Sequence, residues 1–457
     1  MKRLLLVFVI VVFTSCSFDN KTGIWKDASD IPVDNRTINS ITKNKLSTRY
    51  EDALTKNKPF NEEKETVNFS NIGFATPIKI IDWHEQYASP TNNISNFFYT
   101  DNKKLLSKSS KLSNLPSSVA NSSGRIIFYK NNLISYDHKG TIFIHSLSLN
   151  KKIFKYNFYK KNFKNFNKKI KFIVNKDILY AADNLGYIYA LNLNNNSIIW
   201  AKNYGIPFRS NLKFVDNQIL LANQDNVIYS LNSKNGEKNW QFATSLTFLK
   251  SDFVNNIALD LQNNNLFFYN TSGELYSINY IKQKINWVLN FKNSNLAGDT
   301  DLFVSQPIVL KDNNLIITTE GSILSYNKLT SSRNWIFSAK PIFKPIITLN
   351  YTYVVLKNNL LICLDNANGN VIWSKNIFKK LINEKINSKF GPIVDFKIVN
   401  GEINIYFNNG YLLSYNISNG NENYLTRISK KGISSEIFFL DENMLFTDNK
   451  NKLLKFN

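Results

Sequence analysis

Two cysteines and three histidines are the only thiols and imidazoles in this 457-residue chain, and their spacing limits the chemistry open to it. His84, His138 and His145 form no His-Glu-x-x-His arrangement, and Cys16 and Cys363 make no Cys-x-x-Cys pair. Neither a structural nor a catalytic zinc site is therefore expected. No Cys-x-x-Cys-His run offers a covalent haem attachment. No motif sets a nucleophile beside a base, and no glycine-rich loop is placed to cradle a phosphate. The expectation is a chain that is not an enzyme and holds no cofactor. One residue, Cys16, has a setting that suggests covalent chemistry on its own sulfur.

Lys2 and Arg3 precede an unbroken apolar run, Leu4 to Phe13, which is too short to span a bilayer and suits the hydrophobic part of an export signal. The run ends in Phe13-Thr14-Ser15-Cys16, which resembles the bacterial lipobox, with Phe13 where leucine is usual. That motif implies cleavage before Cys16 and diacylation of its thiol; a plain signal peptide with an incidental cysteine is the alternative. Ser17, rather than aspartate, follows the cysteine. By the sorting rule of enteric bacteria this favours anchoring at the periplasmic face of the outer membrane. Loss of residues 1–15 would take the formal charge from +22 to +20. Residues 16–75 then read as a lipidated N-terminus and a flexible polar tether. Cys363, inside Leu361-Ile362-Cys363-Leu364, reads as a small buried hydrophobe.

Hydrophobic residues at 43% and aromatics at 14% allow a large core. Of the 56 basic residues only seven are arginine, and the lysines are scattered among asparagine and isoleucine. Nucleic-acid readers favour arginine and cluster their charge, so no nucleic-acid partner is expected. Codon bias with solvated lysines explains the charge; attraction to anionic headgroups or an acidic partner is the alternative.

What must position any site is a repeat. Short β-type runs recur: Ile142–Ser146, Ile188–Asn192, Ile228–Asn232, Leu275–Asn279, Ile323–Asn327, Leu361–Asp365 and Leu412–Asn416. Two residues before each stands Gly140, Gly186, Asn226, Gly273, Gly321, Asn359 or Gly410, a pattern expected of a hairpin that needs positive φ. Eleven residues after the second residue of each run comes Phe154, Trp200, Trp240, Trp287, Trp335, Trp373 or Tyr424. These rings read as wedges between neighbouring sheets. An eighth copy, Asn451 followed by Leu453–Asn457, lacks the aromatic strand because the sequence stops there. A radial array must close, so an N-terminal segment is expected to supply the missing strand, either Lys104–Ser107 or Ile78–Trp83. The fold expected is all-β: an eight-bladed β-propeller of four-stranded blades over residues 76–457, closed by pairing N-terminal and C-terminal strands.

Gly-x-[Ile/Leu]-Tyr-[Ala/Ser]-Leu-[Asn/Asp], followed by Gly and Trp as in Ser233–Trp240 and Asn366–Trp373, resembles the pyrroloquinoline-quinone-type propeller repeat over roughly residues 125–457. With the lipobox and tether, the chain resembles the BamB family of outer-membrane protein assembly lipoproteins. That resemblance implies a non-enzymatic scaffold of the β-barrel assembly complex. It would dock on the periplasmic domains of the central barrel-assembly subunit, assist insertion of outer-membrane proteins, and meet nascent outer-membrane proteins as clients. Family contacts lie on inter-blade loops. The first matches Gly205–Ser210, which places apolar and basic contacts on Ile206, Phe208 and Arg209. The second matches Leu249–Asp252, with Asp252 as the acid; Val254 stands where the family has a further acid. An ordinary solvated arginine and a turn-capping aspartate remain alternative readings of Arg209 and Asp252. Two other functions stay open: an envelope propeller lipoprotein with another partner, a sensor or glycan-binding module, and a quinoprotein dehydrogenase. The dehydrogenase would need a calcium site and usually a vicinal cysteine pair, which the sequence lacks.

Overall fold

The apolar runs of the repeat become strands buried on both faces. Ile188 to Leu191, for example, is buried throughout, as a strand sandwiched between two neighbouring sheets must be. The computed structural model describes residues 18–19, 24–25, 49–50, 58–66, 75–112, 124–159, 163, 165–247, 250, 252–253, 255–292, 302–379 and 389–457. Blade 2 shows the unit: Ile170–Asn175, Ile178–Asp183, Tyr187–Asn192 and Ser197–Asn203 pair antiparallel in that order. The same order builds blade 1 (126–157), blade 3 (213–243), blade 4 (257–290), blade 5 (309–338), blade 6 (346–376) and blade 7 (393–427). First strands of neighbouring blades touch one another, as at blades 4, 5 and 6, so they line the axis. The fourth strands form the rim and alternate with solvent, as in Glu422–Arg427.

Blade 8 closes the ring. Its first three strands are Phe438–Leu440, Asn443–Thr447 and Lys452–Phe456, and Leu105–Lys111 is added antiparallel as the fourth. Of the two segments expected for this role, the one containing Lys104–Ser107 performs it. Lys104 and Asn457 exchange backbone hydrogen bonds at 3.0 Å each way.

Ile78–Trp83 goes elsewhere. Residues 78–100 cross one end of the central channel and visit the blades in turn. Trp83 accepts from Phe128 N in blade 1, His84 from Val174 N in blade 2, Pro90 from Leu259 N in blade 4 and Thr91 from Leu310 N in blade 5. Asn93 Nδ2 donates to Ile347 O in blade 6, and Phe97 N to Ile398 O in blade 7. Asp441 N in blade 8 donates to Ile80 O. Blade 3 answers with an ion pair, Lys213 Nζ to Glu85 Oε2 at 2.6 Å. The inner edge of a first strand has no further strand beside it, and this segment satisfies backbone groups that would otherwise face the axis unpaired.

The aromatic series sits where the repeat places it, and the reason is a bulge. Each ring is opposite the third residue of the run: Ile144, Ala190, Ser230, Ser277, Ser325, Cys363 or Ser414. The register shifts immediately after that residue in all seven blades. One extra residue in the fourth strand sets the eleven-residue spacing. Trp200, Trp240, Trp335 and Trp373 are buried, and Phe154, Trp287 and Tyr424 partly so. Each wedge meets the next blade: Gly236 has positive φ and lies so close that a Cβ there would fall 2.5 Å from the Trp200 ring. The hairpin position two residues before the run has positive φ at Gly140, Gly186, Asn226, Gly273, Asn359, Gly410 and Asn451. Gly321 is the exception, because Thr319 and Ser322 close a different turn there through Thr319 N to Ser322 O, 2.8 Å.

The segment read as a tether is placed in part. Residues 58–66 lie along the outer edges of blades 5 and 6, and Arg49–Tyr50 pairs parallel with Leu289–Asn290 at the edge of blade 4. The export signal, Cys16 and Ser17 lie outside the described residues.

Candidate protein-docking site

Strands alternate in direction, so hairpins between second and third strands and connectors between blades share one end of the propeller. The connector 203–212 packs between two such hairpins. Phe208 N donates to Asp183 O at 2.9 Å, and Gln224 N to Pro207 O at 2.8 Å. Asp183 holds its own hairpin by accepting from Leu185 N and Tyr187 N at 2.8 Å, an Asx turn that recurs at Asn223 and Asn270. The sequence carries that signal three residues before Gly186, Asn226 and Gly273, where the sequence reading did not use it.

These contacts fix the residues expected to bind a partner. Phe208 is 2% exposed, with Tyr204 and Tyr229 each 5.9 Å from its ring. Its burial places it in the interface between blades 2 and 3, where it aims the loop and makes no surface contact. The neighbouring Ile206 is half-buried.

Arg209 and Asp252, 43 residues apart in sequence, meet. Arg209 Nη1 lies 3.1 Å from Asp252 Oδ1, and Nη2 donates to Gln224 Oε1 at 3.0 Å. Lys169 Nζ reaches Asp252 Oδ2 at 2.6 Å. The hydrogen bond from Lys169, helped by the Arg209 field, holds the Asp252 carboxyl below the usual range. Burial pushes the Arg209 guanidinium down, against the pull of Asp252 and Asp183. The Arg209 side chain is 11% exposed and that of Asp252 60%. The arginine is thus a braced, mostly covered cation, and the aspartate is the open end of the pair. Neither behaves as a freely solvated loop residue. Leu246 (65% exposed) and Phe253 (61% exposed) flank Asp252 on the same connector. Composition gave no reason to single them out. Lys250 pairs with Asp225 on the neighbouring hairpin. Leu249, Ser251 and Val254 lie outside the described residues.

Phe253 also lines an axial cavity of about 810 Å³. Its floor includes Trp83, Tyr87, Ile94 and Phe97 from the crossing segment, and its wall includes Lys344, Asp395, Lys397 and Glu436. Burial pushes the Lys344 amine down to about 7 and the Glu436 carboxyl up to about 7. A quinone site of the dehydrogenase type would need oxygen donors converging on a cation. The donors here do not fit. Asp395 is committed to Lys397 Nζ and Ile437 N, both at 2.8 Å. Among the described residues, no three His, Cys, Asp or Glu side chains converge as a metal site. Cys363 lies in the third strand of blade 6, opposite Trp373, its thiol pushed up by burial.

Fold and repeat define a class: the chain is a closed eight-bladed β-propeller. Within that class it is similar to BamB. The family model described as outer membrane protein assembly factor BamB matches residues 164–375. Among solved structures, BamB from Moraxella catarrhalis superposes with a TM-score of 0.60 at 10% identity, covering 78% of this chain and 99% of that one. Quinohemoprotein alcohol dehydrogenase from Comamonas testosteroni does so with a TM-score of 0.59 at 9% identity, covering 84% and 81%. The quinohemoprotein alcohol dehydrogenase ADHIIG from Pseudomonas putida HK5 gives 0.58 at 9%, covering 82% and 80%. No curated protein sequence matches the chain. At such identities these likenesses describe the fold.

Proposed function

We propose that this chain is a non-enzymatic scaffold of the outer-membrane β-barrel assembly machinery, anchored through a lipidated Cys16 at the periplasmic face of the outer membrane. It docks on the periplasmic domains of the central barrel-assembly subunit and assists insertion of outer-membrane proteins. The observation that carries this reading is the joining of two loops, each implied separately by family resemblance, into one patch by the 3.1 Å Arg209–Asp252 pair. The patch has the composition of an interface centre: a braced arginine, an open carboxylate and the exposed aromatic Phe253 beside them. Ile206 contributes apolar area at its margin.

The test is a crosslinking pull-down from solubilised envelopes with the chain tagged at its C-terminus. The parent chain is expected to recover the barrel-assembly subunit. Arg209→Ala combined with Asp252→Ala should reduce that recovery at least about tenfold, the equivalent of 1.4 kcal/mol, with an unchanged circular dichroism spectrum. Unchanged recovery by the double variant would abandon the patch. Clean recovery of the parent lipoprotein without the barrel subunit would abandon the scaffold reading in favour of another envelope partner.

A further inference from the structure

Outer strand edges in a propeller are bare by default, yet residues 58–66 are bound to two of them. Phe60 N donates to Ser338 O at 2.9 Å on blade 5, and the Phe60 ring lies 5.3 Å from Phe337. Asn358 Nδ2 holds Phe60 O at 3.0 Å. Four residues on, Lys64 and Ser374 of blade 6 form an antiparallel bridge, Lys64 N to Ser374 O at 3.1 Å and Ser374 N to Lys64 O at 2.9 Å. Ser374 Oγ donates to Glu62 O at 2.6 Å, and Asn376 N donates to Glu63 Oε1 at 2.9 Å. Glu63 pairs with Lys379 and Glu65 with Lys375.

This geometry has the parts of a peptide-recognition site. Backbone pairing to a sheet edge supplies sequence-independent affinity, and pockets and charges at fixed offsets supply selectivity. The offsets are an aromatic anchor, then carboxylates three and five residues later. Residues 61–65 are exposed along their length, and their ion pairs are at the surface, where water and salt screen them. The segment is therefore held by backbone pairing and solvent-facing charges, contacts that a competing strand can reproduce. Nor does the fold require it: among the described residues, the fourth strands of blades 1, 2, 3 and 7 carry no added strand.

We propose that the outer edges of blades 5 and 6 are an acceptor for an extended acidic strand of a second protein, carrying an aromatic residue followed by carboxylates at the third and fifth positions beyond it, and that residues 58–66 occupy this acceptor in cis. The acceptor is on the rim and does not depend on the Arg209–Asp252 patch. The cis segment sets a threshold, because a partner competes with a tethered ligand whose effective concentration is on the order of millimolar.

The test uses the full chain and a fluorescein-labelled peptide of residues 57–67, read by anisotropy. In Phe60→Ala/Glu63→Ala/Glu65→Ala the cis ligand is weakened, and the peptide should bind at least tenfold tighter than to the parent. Adding Lys375→Glu and Lys379→Glu should remove that gain, and a peptide with Glu63→Lys and Glu65→Lys should not bind. Equal affinity for parent and triple variant, or indifference to Lys375 and Lys379, overturns the proposal. Hydrogen exchange on the unsubstituted chain gives an independent reading. Excess peptide should expose the Lys64 amide while the Ser374 amide stays protected. Continued protection of both overturns exchangeability.

Discussion

The inner and outer rings of this propeller are built on opposite terms. At the axis, the first strands are covered by the crossing segment 78–100, and charges are buried in pairs such as Lys213–Glu85, whose side chains are 1% and 3% exposed. At the rim, the fourth strands face water and their ion pairs are open, as at Lys379–Glu63. The aromatic wedges bridge the two regimes: they sit on rim strands but are buried by the next blade. Interactions removed from water are costly to break singly, and those left in water are replaceable. Stability should therefore concentrate near the axis and partner exchange at the rim.

The largest expected effect is at the axis. Lys213→Met leaves Glu85 buried without its cation and should cost about 3–5 kcal/mol in denaturant unfolding. Adding Glu85→Leu should restore most of it. A single substitution costing under about 1 kcal/mol would break the contrast between rings.

Asp183 lies between the regimes. Burial pushes its carboxyl up to about 6, while Tyr159 and the Leu185 and Tyr187 amides pull the other way. An unfolded aspartate titrates near 3.9. The folded value is the higher one, so the contribution is fully present below about pH 4 and is lost as pH rises through about 6. Relative to the parent, Asp183→Asn should gain stability between pH 4 and pH 7, by up to about 3 kcal/mol. A pH-independent difference in thermal midpoints would contradict a carboxyl whose burial outweighs its hydrogen bonds.

The smallest effect compares two wedges. Trp200 Nε1 donates to Ser233 O at 2.9 Å, whereas Trp240 Nε1 has no hydrogen-bond partner among the described residues. Trp200→Phe should cost about 1 kcal/mol more than Trp240→Phe, the usual net value of one hydrogen bond. Equal costs would mean that the wedges act by area alone.

Much of the blade was legible in the sequence because its signals are local. The spacing from Tyr189 to Trp200 follows from one hairpin and one bulge, and the Gly or Asn before each run follows from turn sterics. Even so, Gly321 shows that a residue type permits positive φ without imposing it. The candidate patch was half legible. Resemblance points to Arg209 and Asp252 separately and not to their pairing, and Phe208, expected as a contact, is buried between blades, since an aromatic in a loop reads the same whether it faces solvent or a neighbouring blade.

By itself the sequence determined the number of blades, the four strands in each and the wedge positions, since all of these are written in contacts a few residues apart or in the repeat. Only the tertiary structure decided that Leu105–Lys111 closes the ring, that His84 to Phe97 crosses the channel, that residues 58–66 lie on the rim and that Arg209 meets Asp252. Polar, aperiodic segments such as 84–97 have no preferred partner until distant strand edges present unpaired groups to them, and that presentation exists once the blades have closed into a ring.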